Sequence, residues 1–283
     1  MQRLNEDLKI VLERGLDLDT SQLSINNGTE LIERSNYLPK SFVPRQEWRT
    51  FHPEEIDLFT CLPDQWELGK YIGVIQLPEA LTQPLRDIID RSEFDPLDPE
   101  RDLDKISFNP DYQSIVEKIA THLQYYCLST DKIKSLGIHI NRAGLITTTV
   151  DAIEFLPDKP HVGLHLDSWE KAPLRRRHLS SNRICINLGH EPRCFLFINL
   201  SLIKIFEMLG LSTAVDISHY YRGIALPDKF METFPDYPVI KLALAPSQAY
   251  IAPTENIIHD ASTLGKQELD FSLTFIGKFG IHT

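Results

Sequence analysis

The sequence predicts an α+β fold that is mainly β: a jelly roll, or double-stranded β-helix, with supporting helices on its N-terminal side. Three observations carry this expectation. After residue 130, short runs rich in Ile, Val, Thr and Phe alternate with Pro, Gly, Asn and Asp, the pattern of an antiparallel sheet system. Before residue 130, two segments repeat apolar residues at helical spacing. The chain of 283 residues is 42% hydrophobic and 24% charged, so a sizeable core is available without staples. We read residues 1–283 as one domain, with a helical and irregular part at 1–130 packed on a jelly-roll core at 131–283.

Leu4, Leu8, Ile10, Val11 and Leu12 stand among charges at roughly helical spacing, with Gly15 as a stop, which predicts a surface helix over the first fifteen residues. Residues 17–63 mix Asn, Ser, Pro and charge without a period and read as irregular. The run KYIGVIQL at 70–77 is a strand by its β-branched and aromatic content, followed by a Pro-initiated helix at 78–91. A second helix at 111–128 places Ile115, Ile119 and Leu123 on one stripe that can cover a sheet. Strands are then expected near 136–141, 146–155, 161–166, 182–189, 193–200, 239–244, 248–252, 256–260 and 270–279, interrupted by one helix at 202–209.

Charge and cysteine usage exclude several classes. The balance of 29 basic to 40 acidic residues gives a net charge of -11, which repels a phosphate backbone, so no nucleic-acid partner is expected. Cys61, Cys127, Cys185 and Cys194 are scattered, with no CxxC pair, and read as reduced, mostly buried thiols. The N-terminal residues run straight into a charged pattern without the apolar core of a signal peptide. The most apolar stretch, 194–206, is broken by Asn199, Ser201 and Lys204 and falls short of the roughly 20 residues that span a bilayer. The expectation is a cytoplasmic protein with no membrane span.

The most informative segment is His161-Val-Gly-Leu-His165-Leu-Asp167-Ser-Trp169. In a strand, residues two apart share a face, so His165 and Asp167 can offer an imidazole nitrogen and a carboxylate oxygen to one ion. A third ligand must come from elsewhere, and His259, in Asn256-Ile-Ile-His259 after a Pro253-Thr-Glu turn, stands near another strand. Two His and one carboxylate on one face of an octahedral ion leave three positions for other ligands and dioxygen. A structural zinc site is normally closed by four ligands, commonly with Cys, and no Cys lies near this motif. His161 is the rival ligand: residues i and i+4 of a strand also share a face, so it lines the same pocket or replaces His259.

This pattern resembles the iron(II) and 2-oxoglutarate-dependent oxygenase superfamily, whose members carry HxD on the second core strand and a distal His on the seventh. The resemblance covers about residues 134–279. It implies His165, Asp167 and His259 as metal ligands and catalytic centre, iron(II) as the metal, and 2-oxoglutarate and dioxygen as co-substrates. The reaction it implies is hydroxylation of an unactivated C–H bond in an amino acid, a peptide or a specialised metabolite, and the retained Asp167 argues against the halogenating branch.

Family members usually anchor the distal carboxylate of 2-oxoglutarate with the cation of an R-x-S arrangement on the last core strand. Here that place reads Asp270-Phe-Ser272, so Ser272 fits and an acid stands where a cation is expected. Relatives of the JmjC type put the cation on the fourth core strand, and Arg183 stands 16 residues after Asp167. Arg183, Cys185 and Asn187 share one strand face, so Arg183, Asn187 and Ser272 are the expected co-substrate residues, with Arg183 preferred over Lys266 in its solvent-exposed turn. Trp169, His161 and Arg175, the first residue of the run Arg175-Arg176-Arg177-His178, are the expected substrate-binding residues. A cupin-like metal enzyme that does not use 2-oxoglutarate, and a non-catalytic binding barrel, are the competing readings.

Overall fold

The computed structural model describes residues 4–95, 99–130, 132–151, 159–211 and 225–282. Where helical spacing predicts an N-terminal helix, Lys9–Leu12 form a strand, β1. Ile10 and Val11 are adjacent and both fully buried, which a strand achieves by turning them to opposite faces and a one-sided surface helix cannot. The stretch expected to be irregular supplies β2 (Leu23–Ile25), β3 (Thr29–Leu31), β4 (Phe42–Pro44), β5 (Arg49–Thr50) and α1 (Pro53–Phe59). These strands are two or three residues long, too short for an alternation to register in the sequence, and tertiary pairing fixes them.

The middle of the chain holds β6 (Tyr71–Gln76), α2 (Glu79–Arg91) and α4 (Tyr112–Leu123) close to the expected ranges, with a short α3 (Leu103–Ser107) that was not expected. The sheet-rich half contains β7 (Lys134–Asn141), β8 (Asn182–Asn187), β9 (Arg193–Phe197), α5 (Leu202–Met208), α6 (Ala225–Thr233), β10 (Ile240–Leu244), β11 (Gln248–Ala252), β12 (His259–Ser262) and β13 (Asp270–Gly277). Helix α6 is an addition to the expected elements, held by buried Leu226, Phe230 and Met231. Two expected strands do not form as such. Residues 146–151 carry only an isolated bridge from Val150 to His161, and 152–155 lie outside the described residues. Residues 161–166 make isolated bridges at His161 and His165, because Gly163 between them takes a φ of +79° and leaves the extended conformation.

A six-stranded sheet runs β1-β6-β11-β8-β13-β7, antiparallel except for the β1–β6 pair, and a five-stranded sheet runs β12-β9-β10-β2-β5. Val74, Cys185 and Tyr250 of the large sheet join Leu23, Phe195, Phe197 and Leu242 of the small one in a single buried cluster, so the two sheets face each other. The other face of the large sheet, with Ile186, Ile251, Leu273 and Phe275, packs beneath Leu85 and Ile89 of α2 and Ile119 and Leu123 of α4. The outer face of the small sheet is covered by α5 and α6. Along β8 and β13 the apolar residues packed under these helices (Ile184, Ile186, Phe271, Leu273, Phe275) alternate with buried polar ones (Asn187, Asp270, Ser272, Thr274). All four cysteines are free thiols, with Cys185 buried and the other three half-buried. Among the described residues no helix is long and apolar enough to cross a membrane.

Candidate metal centre

His165 and His259 are direct partners across an antiparallel bridge: the His165 N–H donates to the His259 carbonyl at 3.0 Å, and the reverse bond is 2.9 Å. His259 opens β12, which is held in turn on β9 through the His259–Phe197 pairing. The two imidazoles therefore rise side by side, with ring centroids 4.7 Å apart. Asp167 follows two residues after His165, its N–H donating to the Thr254 carbonyl at 3.2 Å. One donor atom from each of His165, Asp167 and His259 lies within 4.8 Å of the other two, and His161 is not in that group. His165 Nε2 is 3.8 Å from Asp167 Oδ1, and His259 Nε2 is 3.6 Å from Asp167 Oδ2.

The ring nitrogens are assigned by their partners. Each Nδ1 faces a carbonyl, Gly163 O at 2.8 Å for His165 and Ile257 O at 3.1 Å for His259, and a carbonyl only accepts. Both Nδ1 atoms must donate, which leaves the Nε2 lone pairs for a metal. Burial holds His259 down at about 4, so it is neutral. Burial also pushes His165 down, but Asp260, whose Oδ2 stands 3.6 Å from His165 Nδ1, outweighs it and the net direction is upward. Burial pushes the Asp167 carboxyl up, and His259, Arg183 and His165 together outweigh it, so Asp167 is an anion. Its Oδ2 is buried without an aligned hydrogen bond. Two imidazole nitrogens, one carboxylate and no thiolate fit a hard or borderline divalent ion with open positions.

The local sequence builds this geometry through Gly163. The Leu164 N–H donates to the Phe42 carbonyl at 2.8 Å, and a Cβ on Gly163 would stand 2.4 Å from that same oxygen. We expect Gly163→Ala to lose roughly 1–3 kcal/mol of stability in chemical denaturation, from the left-handed backbone and the clash together, and to weaken metal binding by displacing His165.

Three contributors escape a reading of motifs. Asp260, directly after His259 in the sequence, is fully buried, and its Oδ1 accepts from the N–H groups of Thr148, Thr149 and Ala261. Arg177, in the basic run 175–178, is buried: it donates to the Asp167 carbonyl at 2.7 Å, to Ser168 Oγ at 2.8 Å and to the Ala172 carbonyl at 3.3 Å, bracing the loop after Asp167. Arg193, at the start of β9, forms a buried ion pair with Asp270, which Lys266 Nζ also contacts at 2.7 Å. Lys266 is thus buried rather than exposed as expected, because Asp270 supplies the partner that a desolvated ammonium requires.

The remaining expected site residues are dispersed. His161 is buried against the Tyr37 ring, with centroids 5.2 Å apart, and the turn at Gly163 breaks the alternation that would align it with His165. The Asn187 amide is committed to main chain, donating to the Glu191 and Leu244 carbonyls and accepting from the Gly189 N–H. Ser272 is fully buried on β13 and its Oγ has no hydrogen-bond partner. Arg183 Nη2 lies 2.9 Å from Asp167 Oδ2, and its guanidinium stacks on Trp169 with the carbon 4.9 Å from the ring centroid. Arg175 is exposed on the 3-10 helix Leu174–Leu179.

No protein-family model and no curated protein matches the chain. Among solved structures the chain is similar to that of the Kdo hydroxylase KdoO, a non-haem Fe(II) α-ketoglutarate-dependent dioxygenase in complex with cobalt(II). The identity is 14%, the match covers 74% of this chain and 80% of that one, and the TM-score is 0.38.

Proposed function

We propose that the chain is a non-haem iron(II) and 2-oxoglutarate-dependent oxygenase that hydroxylates a small molecule or peptide, built on a double-stranded β-helix. The observation that carries this reading is the convergence of His165, Asp167 and His259, with both Nδ1 atoms turned to carbonyls and the Nε2 atoms facing the Asp167 carboxylate. The interleaved strand orders of the two facing sheets support the architecture. Bound with 2-oxoglutarate, iron(II) supplies dioxygen activation coupled to decarboxylation of the co-substrate, the chemistry that attack on an unactivated C–H bond requires.

The chain's own residues hold and orient. His165 and His259 are fixed by their reciprocal backbone bonds and by carbonyls at Nδ1, so little reorganisation accompanies metal binding. A second anchor must take the distal carboxylate of 2-oxoglutarate, away from the metal. Arg183 is beside a metal ligand and therefore at the wrong end for that task. Arg193 and Ser272 suit it better. Arg193 and Lys266 against Asp270 leave one net positive charge in the interior, Arg193 Nε has no hydrogen-bond partner, and Ser272 Oγ has none either. The pair restores across two strands the Arg and Ser that many oxygenases carry on one.

Anaerobic addition of iron(II) and then 2-oxoglutarate tests the reading. The expected result is a visible charge-transfer band that saturates at one equivalent and disappears in Asp167→Ala. Stoichiometric metal binding without any band would instead identify a cupin-like metal enzyme, and no metal binding would leave a binding barrel.

A further inference from the structure

Among the described residues Arg183 is the one cation paired with the Asp167 carboxylate, and its surroundings are incomplete. Its side chain is mostly buried, yet neither Nε nor Nη2 has an aligned hydrogen bond, although Nη2 stands 2.9 Å from Asp167 Oδ2. Those two atoms form one edge of the guanidinium, the edge that grips a carboxylate through two parallel N–H···O bonds. One planar face of Arg183 lies against Trp169, which is 57% exposed and so stands at the mouth of the site. The shelf is rigid: β8 lies between β11 and β13, and Arg177 ties the loop carrying Trp169 at three points. Among the described residues Asp167 is the sole acid paired with Arg183, and the proposed metal makes its own claim on that carboxylate.

We propose that the substrate carries a carboxylate, which docks on the Nε–Nη2 edge of Arg183 with Trp169 as an aromatic wall, so that oxidation falls on a carbon close to that carboxylate. This rests on the oxygenase reading and adds the substrate class. The same loop carries Lys171, Arg175 and Arg176, all exposed, a local basic rim in a chain of net charge -11 that draws anions toward this mouth.

Ligand-observed NMR on the full chain loaded with manganese(II) and 2-oxoglutarate tests it, with benzoate, benzamide and phenylphosphonate as probes. Paramagnetic broadening reports approach to the metal. Benzoate is expected to broaden and benzamide to remain sharp, with benzoate affinity falling at least about tenfold in Arg183→Met and partly retained in Arg183→Lys, which keeps the charge but loses the fork. Trp169→Ala, at an exposed position, is expected to weaken benzoate without disturbing the fold and serves if Arg183→Met does not fold. The affinity for 2-oxoglutarate is expected to stay within about twofold in both variants.

Equal broadening by benzoate and benzamide, or benzoate binding retained in Arg183→Met through direct metal coordination, overturns the proposal. Tighter binding of phenylphosphonate than benzoate overturns the carboxylate in favour of a phosphoryl substrate. A tenfold or greater loss of 2-oxoglutarate affinity in Arg183→Met would assign Arg183 to the co-substrate instead. Absence of manganese or 2-oxoglutarate binding in the unaltered chain overturns the oxygenase reading itself, a result visible before any probe is added.

Discussion

His259→Ala is expected to abolish iron(II) binding, and with it all oxygen-dependent consumption of 2-oxoglutarate, while the folded chain survives. His259 is paired through its backbone to both Phe197 and His165, and alanine keeps those bonds. What disappears is one of three donor atoms held within 4.8 Å of each other, and two remaining donors do not hold a labile divalent ion at micromolar concentration. Thermal unfolding gives the measurement. A metal that binds only the folded state at 100 times its Kd contributes about 2.7 kcal/mol, which corresponds to a rise in Tm of roughly 4–5 °C in a chain of this size. The rise should appear with iron(II) or cobalt(II) in the unaltered chain and vanish in His259→Ala, His165→Ala and Asp167→Ala alike. An equal rise in His259→Ala would move the metal elsewhere; an equal rise in His161→Ala leaves the assignment intact, since His161 lies outside the triad.

The candidate triad His165, Asp167 and His259 is legible because its chemistry is written in residue types at fixed spacing, whereas its geometry is not. Alternation in a strand predicts that His165 and Asp167 share a face, but the segment is not a regular strand, and the convergence comes from the His165–His259 bridge and the turn at Gly163. That turn also removes His161, which alternation alone would have kept as a rival ligand. The strands β6, β7, β8, β11 and β13 and helices α2 and α4 are legible because β-branched and aromatic residues recur in the strands and apolar residues at helical spacing in the helices. The sequence around β1 reads as a helix because Leu8, Ile10, Val11 and Leu12 fit either period, and only pairing with β6 decides between them. The buried cations were illegible for a different reason. Nothing local marks Arg193 or Lys266 as buried; both depend on Asp270, 77 and 4 residues away, whose carboxylate makes their desolvation tolerable.

That dependence makes Arg193→Met the sharper test of the co-substrate. Met approximates the length of the arginine stem and removes only the charge and the donors, while Asp270 keeps Lys266 as a partner at 2.7 Å and is not left as an isolated buried anion. A hydrogen bond to a charged group contributes about 1.5–3 kcal/mol, so the affinity for 2-oxoglutarate should fall roughly 10- to 150-fold, read from titration of the charge-transfer band. Ser272→Ala removes a neutral donor and should cost about 0.5–1.5 kcal/mol, roughly 2- to 12-fold. Iron(II) affinity should be unchanged in both. On β9, Arg193 is four residues from Phe197, the partner of His259, which places its backbone about 13 Å from the metal end of the strand. The arrangement also fixes the sign of a third variant: Asp270→Asn takes away the acid that offsets Arg193 and Lys266, so it should tighten 2-oxoglutarate binding even as it destabilises the fold through two buried, unpaired cations. A loss of 2-oxoglutarate affinity in Asp270→Asn equal to that in Arg193→Met would mean that the acid positions the guanidinium rather than opposing it, and unchanged affinity in Arg193→Met would remove this anchor altogether.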